Sequence, residues 1–252
     1  MLLTVETFRK RIEYSLCQQF ASDADVRAFC ERAKATRVGV ACVNPVNVKL
    51  AAELLRGSGV EISGNVGFPF GVHAADVKAL ETRRCVTDGA TQIDVVMNVG
   101  ALRSRRDDDV RGEIRAIVEA AEGRPVKIII ETWVLTREEK TRACRIAEES
   151  GAHLVKTTTG VRTQYLELAT PSPAGVSTGA ARGAVPPGAV VDDIVLMRQV
   201  LSPKMKIKAS GGIYDLDTAL AMFRAGADQL GVSKGEQLIK DFQARFAKGA
   251  EI

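Results

Sequence analysis

Histidine is almost missing from this chain: His73 and His153 are the only two in 252 residues. Neither has a second histidine or a cysteine at metal-ligand spacing, so a zinc-type centre has no ligand set. His153 opens an apolar run, the place of a structural histidine. Cysteine is sparse too. The five, Cys17, Cys30, Cys42, Cys85 and Cys144, are odd in number, contain no Cys-x-x-Cys pair and mostly fall inside apolar periodic stretches. That is the usage of a cytoplasmic protein with reduced core thiols. No run approaches the roughly 18 apolar residues of a membrane span, and MLLTVETFRK at the start holds no signal-peptide core. Nor is one sign of charge in excess. The 35 basic and 31 acidic residues leave +4 spread along the chain, which argues against nucleic acid or a membrane surface as partner.

What the chain does have is apolar material with a rhythm. At 46% hydrophobic and 26% charged residues, it can fill one large core, and α/β barrels use about 250 residues as a single domain. Residues 1–252 are therefore read as one domain. Short β-rich runs alternate with stretches whose apolar residues recur every three or four positions, the pattern of a parallel sheet covered by helices. The predicted strands are Arg37 to Val43, Val60 to Val66, Gln92 to Met97, Val126 to Thr132, His153 to Thr157, Met205 to Ala209 and Gln229 to Val232. Ile12 to Leu16, between an N-terminal helix and another from Ser22, supplies an eighth. Predicted helices fill the gaps, with start signals such as Thr136 three residues before Glu139 and Asp215 before its helix.

An open doubly wound sheet would place a glycine-rich phosphate turn after its first strand. Here the glycine-rich turns come late, at Thr159-Gly160 and Gly211-Gly212, as in a (β/α)8 TIM barrel. The rhythm breaks once, over residues 161–188, rich in Gly, Pro, Ala, Ser and Thr. Connections above about 15 residues are uncommon and tend to be lids or insertions. This one follows the sixth strand and contains a helix-forming piece, Gln164 to Ala169.

Active sites of such barrels lie at the C-terminal ends of the strands. Lys156 in HLVKTTTG and Lys208 in MKIKASGG sit near such ends in short apolar strands. A lysine inside a barrel loses its charge more easily, through burial and a neighbouring cation, which frees its amine for a carbonyl. Taken singly, each also fits a lysine snorkelling from a strand end. Asp94 interrupts QIDVVMNVG, where an inward carboxylate needs a partner. With a lysine it could move protons through water or form a structural ion pair. Period two puts Asn98 on the same face as a substrate-positioning residue, and Glu131 is placed to meet a lysine. The loops Thr158-Thr159-Gly160, Ser210-Gly211-Gly212 and Gly231-Val232-Ser233 can turn backbone N–H groups toward an anion. Together they follow the last three strands, where barrels commonly bind phosphate.

The stretches ACVNPVNVKLAAELL, VGFPFG, QIDVVMNVGAL, VKIIIET, HLVKTTTG, IKASGGI and LGVS, in this order from about Arg37 to Ser233, resemble the 2-deoxyribose-5-phosphate aldolase family of class I aldolases. The resemblance implies a lyase with Lys156 as Schiff-base nucleophile, Lys208 as the second lysine that lowers its pKa, and Asp94 as the acid of the proton relay. It also implies phosphate binding by Gly160, Gly211, Gly212 and Ser233, with Lys234 beside them, and substrate positioning by Asn98, Thr158 and Cys42. The implied partners are a small phosphorylated sugar and aldehydes; no metal or organic cofactor is implied, and a homo-oligomer, a dimer, is expected. The chain departs from the family pattern in its first strand, where Glu13-Tyr14-Ser15-Leu16-Cys17-Gln18-Gln19 replaces the usual Asp-His-Thr and Leu-Lys-Pro. It departs again at Ser233-Lys234, in place of paired serines, and in the length of the 161–188 segment. Two other readings are an aldolase for a different phosphorylated substrate and a sugar-phosphate-binding relative without turnover.

Overall fold

A computed structural model describes residues 2–161 and 188–252. The 161–188 segment, with its expected helix at Gln164 to Ala169, lies outside the described residues except at its two ends. Strand β1 (Leu2–Leu3) and helix α1 (Val5–Lys10) lead into β2 (Ile12–Leu16), α2 (Asp23–Thr36), β3 (Val40–Val43), α3 (Val48–Leu55), β4 (Glu61–Val66), α4 (Ala75–Thr87) and β5 (Gln92–Val96). There follow α5 (Val99–Arg103), α6 (Asp107–Ala120), β6 (Val126–Ile129), α7 (Arg137–Glu149), β7 (Leu154–Lys156), α8 (Val191–Val200), β8 (Lys206–Ser210), α9 (Leu216–Arg224), β9 (Gln229–Val232), α10 (Gly235–Arg245) and β10 (Ala250–Glu251). Strands β2 to β9 close in chain order into an eight-stranded barrel, every neighbouring pair parallel, with β9 returning to β2 through Glu13 opposite Gly231. Outside it, β1 and β10 pair antiparallel.

Local chemistry sets the ends of these elements. Ser22 with Asp25, and Thr136 with Glu139, form capping boxes that satisfy first-turn N–H groups of α2 and α7. The strand expected from Arg37 begins only at Val40, because Arg37, at φ 52°, is the left-handed cap of α2. Gly39 then runs against Lys10, whose carbonyl would collide with any Cβ there. The strand expected to reach Thr132 stops at Ile129. Glu131 turns left-handed at φ 56°, and Thr132–Val134 winds into a single 3-10 turn.

Alternation sorts the strand residues between two environments. Val43, Val95, Ile128, Val155, Ile207 and Leu230 are buried in one apolar cluster with helix residues such as Phe29, Ile114 and Leu238. Phe8 of α1 stacks on Phe242 of α10 at 4.2 Å and meets Phe223 edge-on at 5.9 Å. The opposite faces carry Glu13, Ser63, Asp94, Lys127, Lys156 and Lys208, all buried. This barrel is apolar outside its strands and ionic within. All five cysteines are free thiols, and no helix among the described residues is long and apolar enough to cross a membrane.

Candidate active site

The ionic interior is a connected network drawn from five strands. Lys127 of β6 reaches across the barrel to Glu13 of β2 at 2.5 Å and to Asp94 Oδ1 of β5 at 2.9 Å. Lys208 of β8 pairs with Asp94 Oδ2 at 2.5 Å and with the other oxygen of Glu13. Two lysines and two carboxylates thus form a closed ring, each member touching two of opposite sign. Ser63 of β4 donates to Asp94 Oδ1 at 2.9 Å. Lys156 of β7 hangs from the ring by one contact, donating to Asp94 Oδ2 at 2.7 Å. Lys156 and Lys208 therefore share a single carboxylate oxygen.

Within the network the charges do not balance: three buried lysines face two buried carboxylates. Burial opposes charge on Asp94, but Lys127, Lys156 and Lys208 outweigh it and hold the carboxyl well below its ordinary range. Burial and Asp94 likewise oppose charge on Glu13, and Lys127 with Lys208 prevails, keeping it low. Among the lysines, burial works against all three. Asp94 reverses it for Lys127 and Lys156, which are held above the ordinary lysine range, while Lys208, repelled by Lys127 and Lys156, falls below it. Of the three, Lys208 is the amine whose hold on its proton is weakened, by burial and by the two neighbouring ammoniums. A proton can pass from one amine to the other over Asp94 Oδ2.

Above this network opens a cavity of 840 Å³. Lys156 lines it; Asp94, Lys127 and Lys208 lie behind. Along one side run Gly160, Gly211, Gly212 and Ser233, and around the mouth stand Cys17, Phe20, Phe68, Phe70 and Tyr214. Gly211 and Gly212 both have positive φ, 89° and 72°, a conformation that L side chains seldom adopt. A Cβ on Gly211 would also lie 2.6 Å from Thr158 Oγ1. A model of the DeoC/LacD family aldolases matches residues 9–240. The chain belongs to that family.

Among its relatives, a deoxyribose-phosphate aldolase of Streptococcus sanguinis is 41% identical over 235 residues, 93% of this chain and 96% of that protein. One of Methanothermobacter thermautotrophicus is 42% identical over 240 residues, 95% and 97% of the two chains. Among solved structures, a tetrameric deoxyribose phosphate aldolase from Aeropyrum pernix superposes with a TM-score of 0.80 at 26% identity, covering 96% of this chain and 93% of that one.

Within this family member not all the residues singled out from sequence meet. Lys156, Lys208 and Asp94 meet, and Gly160, Gly211, Gly212 and Ser233 share the cavity. Three others are spent on neighbours. Thr158 donates to Ser210 O at 2.8 Å and accepts from Gly160 N at 3.1 Å, binding the loops after β7 and β8 together. Cys42 donates to Asn65 Oδ1 at 3.3 Å. Asn98 lies past the end of β5, where its Oδ1 caps α5 by accepting from Ala101 N at 3.0 Å. Lys234, exposed at the start of α10, holds its ammonium 5.5 Å from the centre of the Tyr214 ring. Glu131, expected beside a lysine, accepts from Thr159 N at 3.0 Å and from the Trp133 indole and lies within electrostatic reach of Lys156.

Sequence reading missed Glu13, Lys127, Ser63 and Cys17. The rule that picked out Asp94, a polar residue inside an apolar strand, also applies to Lys127 in VKIII. Glu13, Cys42 and Asp94 bring one donor atom each within 4.8 Å of the others. Both carboxylates already carry ammonium partners, which a cation would have to displace.

Proposed function

We propose that this chain is a class I aldolase that reversibly cleaves 2-deoxy-D-ribose 5-phosphate into glyceraldehyde 3-phosphate and acetaldehyde through a Schiff base on Lys156. One observation carries the reading: of the three lysines in the buried network, Lys156 lines the cavity while sharing a carboxylate oxygen with a depressed amine. The names of the relatives suggest the substrate. The phosphate lies along Gly160, Gly211, Gly212 and Ser233, held mainly by backbone N–H groups, with Lys234 adding charge at the rim. That directs the open-chain aldehyde carbon toward Lys156.

Lys156 must first lose its proton, and Asp94 Oδ2 is the path by which Lys208 takes it. The neutral amine then adds to the carbonyl, and loss of water gives the iminium. Removal of the C3 hydroxyl proton, by Asp94 through a water, breaks the C2–C3 bond. The bonding pair moves into the iminium, leaving an enamine on Lys156 and releasing glyceraldehyde 3-phosphate. Protonation of the enamine carbon and hydrolysis release acetaldehyde and restore the amine. No metal or organic cofactor enters these steps.

The whole chain acts as one domain, as a homo-oligomer in the cytoplasm. Free thiols support that compartment. Exposed Phe70, Val72, Val77 and Leu80, on α4 and the loop before it, offer apolar surface for a dimer, which light scattering checks directly. For activity, the protein is incubated with 2-deoxyribose 5-phosphate, product is coupled to a dehydrogenase, and a parallel sample is trapped with borohydride for peptide mapping. The expected result is turnover with an adduct on Lys156, both lost in Lys156→Leu. An adduct without turnover, followed by turnover of another phosphorylated aldol, would move the assignment to that substrate. Neither adduct nor turnover, with ligand-induced stabilisation alone, would make the chain a binding protein.

A further inference from the structure

The aldolase reading uses Lys156, Asp94 and Lys208, but leaves Glu13 and Lys127 with no part in the chemistry. Both are completely buried, a costly placement for charge unless something depends on it. Lys208 is faced by Glu13 from β2, Asp94 from β5, Lys127 from β6 and Lys156 from β7. Outside these five, Lys156 is also faced by Cys42 of β3, whose contact with Cys17 and burial push its thiol well up, by Cys17, which that contact holds lower, and by Glu131, whose carboxyl burial raises. Room for the arrangement is built into the backbone. Gly231 lies opposite Glu13 on β9, and a Cβ there would stand 2.9 Å from Lys208 Cε.

We propose that Glu13 is a positioning residue of the reaction: it completes the ring Glu13–Lys127–Asp94–Lys208, so that Lys156 is the surplus cation and Lys208 can keep the proton that Lys156 gives up. With Lys156 protonated and Lys208 neutral, the five groups sum to zero. With the proton moved over Asp94 Oδ2 they still sum to zero, and the ring itself is neutral and fully paired. The transfer therefore changes no net buried charge, and the nucleophile is freed without an ion left unmatched. Take away the charge of Glu13 and the same two states carry +1. The network then sheds a further proton, and Lys208 loses the counter-ion that lets it hold one. This rests on the aldolase reading.

The test is the pH dependence of kcat and kcat/KM for 2-deoxyribose 5-phosphate cleavage in four proteins: wild type, Glu13→Gln, Lys127→Met and the double variant. Glu13→Gln removes a negative charge, so both limbs of the profile move to lower pH, by about one to three units. Lys127→Met removes a positive charge and moves them to higher pH. The double variant restores the charge sum and brings the limbs back toward wild type, and Glu13→Asp leaves them near their original place. Limbs that stay put in Glu13→Gln while the rate falls at every pH would overturn the proposal and leave Glu13 a purely structural residue. Should Glu13→Gln not fold, Lys127→Met and the double variant carry the same comparison. If the wild type itself cleaves nothing, the aldolase reading has failed; the ring is then tested by the pH at which Lys156 forms its coloured enaminone with acetylacetone. A midpoint lowered by Glu13→Gln supports the ring, and an unmoved one overturns it.

Discussion

Replacing Asp94 by asparagine keeps the size of the side chain and removes the one charge that all three lysines of the barrel network touch. Glu13 then faces three amines, none of them more than 3% exposed. Stripping one partner from a buried ion pair costs about 3–5 kcal/mol, because the remaining charge has nowhere to go. In a domain of this size that is a fall in Tm of roughly 6 to 20 °C. The sign of the pH effect follows from the lysines. Without Asp94 their folded-state pKa values drop below the unfolded value of about 10.4, so at intermediate pH the unfolded chain binds more protons. Stability of Asp94→Asn therefore rises with pH across that window, and its deficit against wild type shrinks between about pH 7 and about pH 10. Urea unfolding of both proteins at several pH values reads this directly. Turnover falls by about 10²- to 10⁴-fold, the usual worth of a positioned proton-transfer group, since Lys156 and Lys208 no longer share an acceptor that can take a proton. A deficit constant from neutral to alkaline pH would refute the charge-inventory reasoning, and near-normal turnover would remove Asp94 from the relay.

Cys17 is half-exposed in the cavity wall, and its hydrogen bond with Cys42 holds its thiol below the usual range, whereas burial pushes Cys85 and Cys144 up to about 12. Iodoacetamide at neutral pH should alkylate Cys17 before the other four, with loss of activity and with protection by substrate; peptide mapping that finds another cysteine modified first would contradict the picture. Lys234→Ser should raise KM for a phosphorylated donor roughly two- to five-fold, the scale of an exposed ion pair, while leaving kcat and the KM for an unphosphorylated donor alone. The effect should fade as salt is added, and a salt-independent change would point to reshaping of the pocket instead.

The barrel was legible because short β-rich runs alternate with helix-period stretches along the whole chain, the pattern of a parallel sheet covered by helices. Its boundaries were less so. Arg37 and Glu131 end their elements in left-handed conformations that neither residue type advertises, and α5 is a five-residue turn fixed by Asn98, which reads from sequence as one more strand position. Of the site, Lys156, Lys208 and Asp94 were visible as polar residues closing apolar strands, reinforced by the family resemblance. Glu13 was passed over because its strand looked like a departure from the family pattern. Its meaning depends on Lys127, 114 residues away, and local spacing carries no trace of that pairing.

The same distance explains why the depressed amine could not be placed from sequence. Which of several lysines goes without a proton is decided by the sum over every charge inside the barrel, and the answer changes when one carboxylate is counted or left out. Counting Glu13, the five groups of the network are neutral whenever one of Lys156 and Lys208 carries a proton and the other does not, whichever of the two it is. An interior with such equal alternatives needs a rigid frame, since a neutral balance lasts only while the groups stay within hydrogen-bonding reach. The frame is the apolar layer between strands and helices, together with the hydrogen bonds of Thr157 and Thr158 to Ser210 that tie the ends of β7 and β8. Stability and reactivity are thereby assigned to opposite faces of the same eight strands, which allows so much charge to be held inside a folded chain.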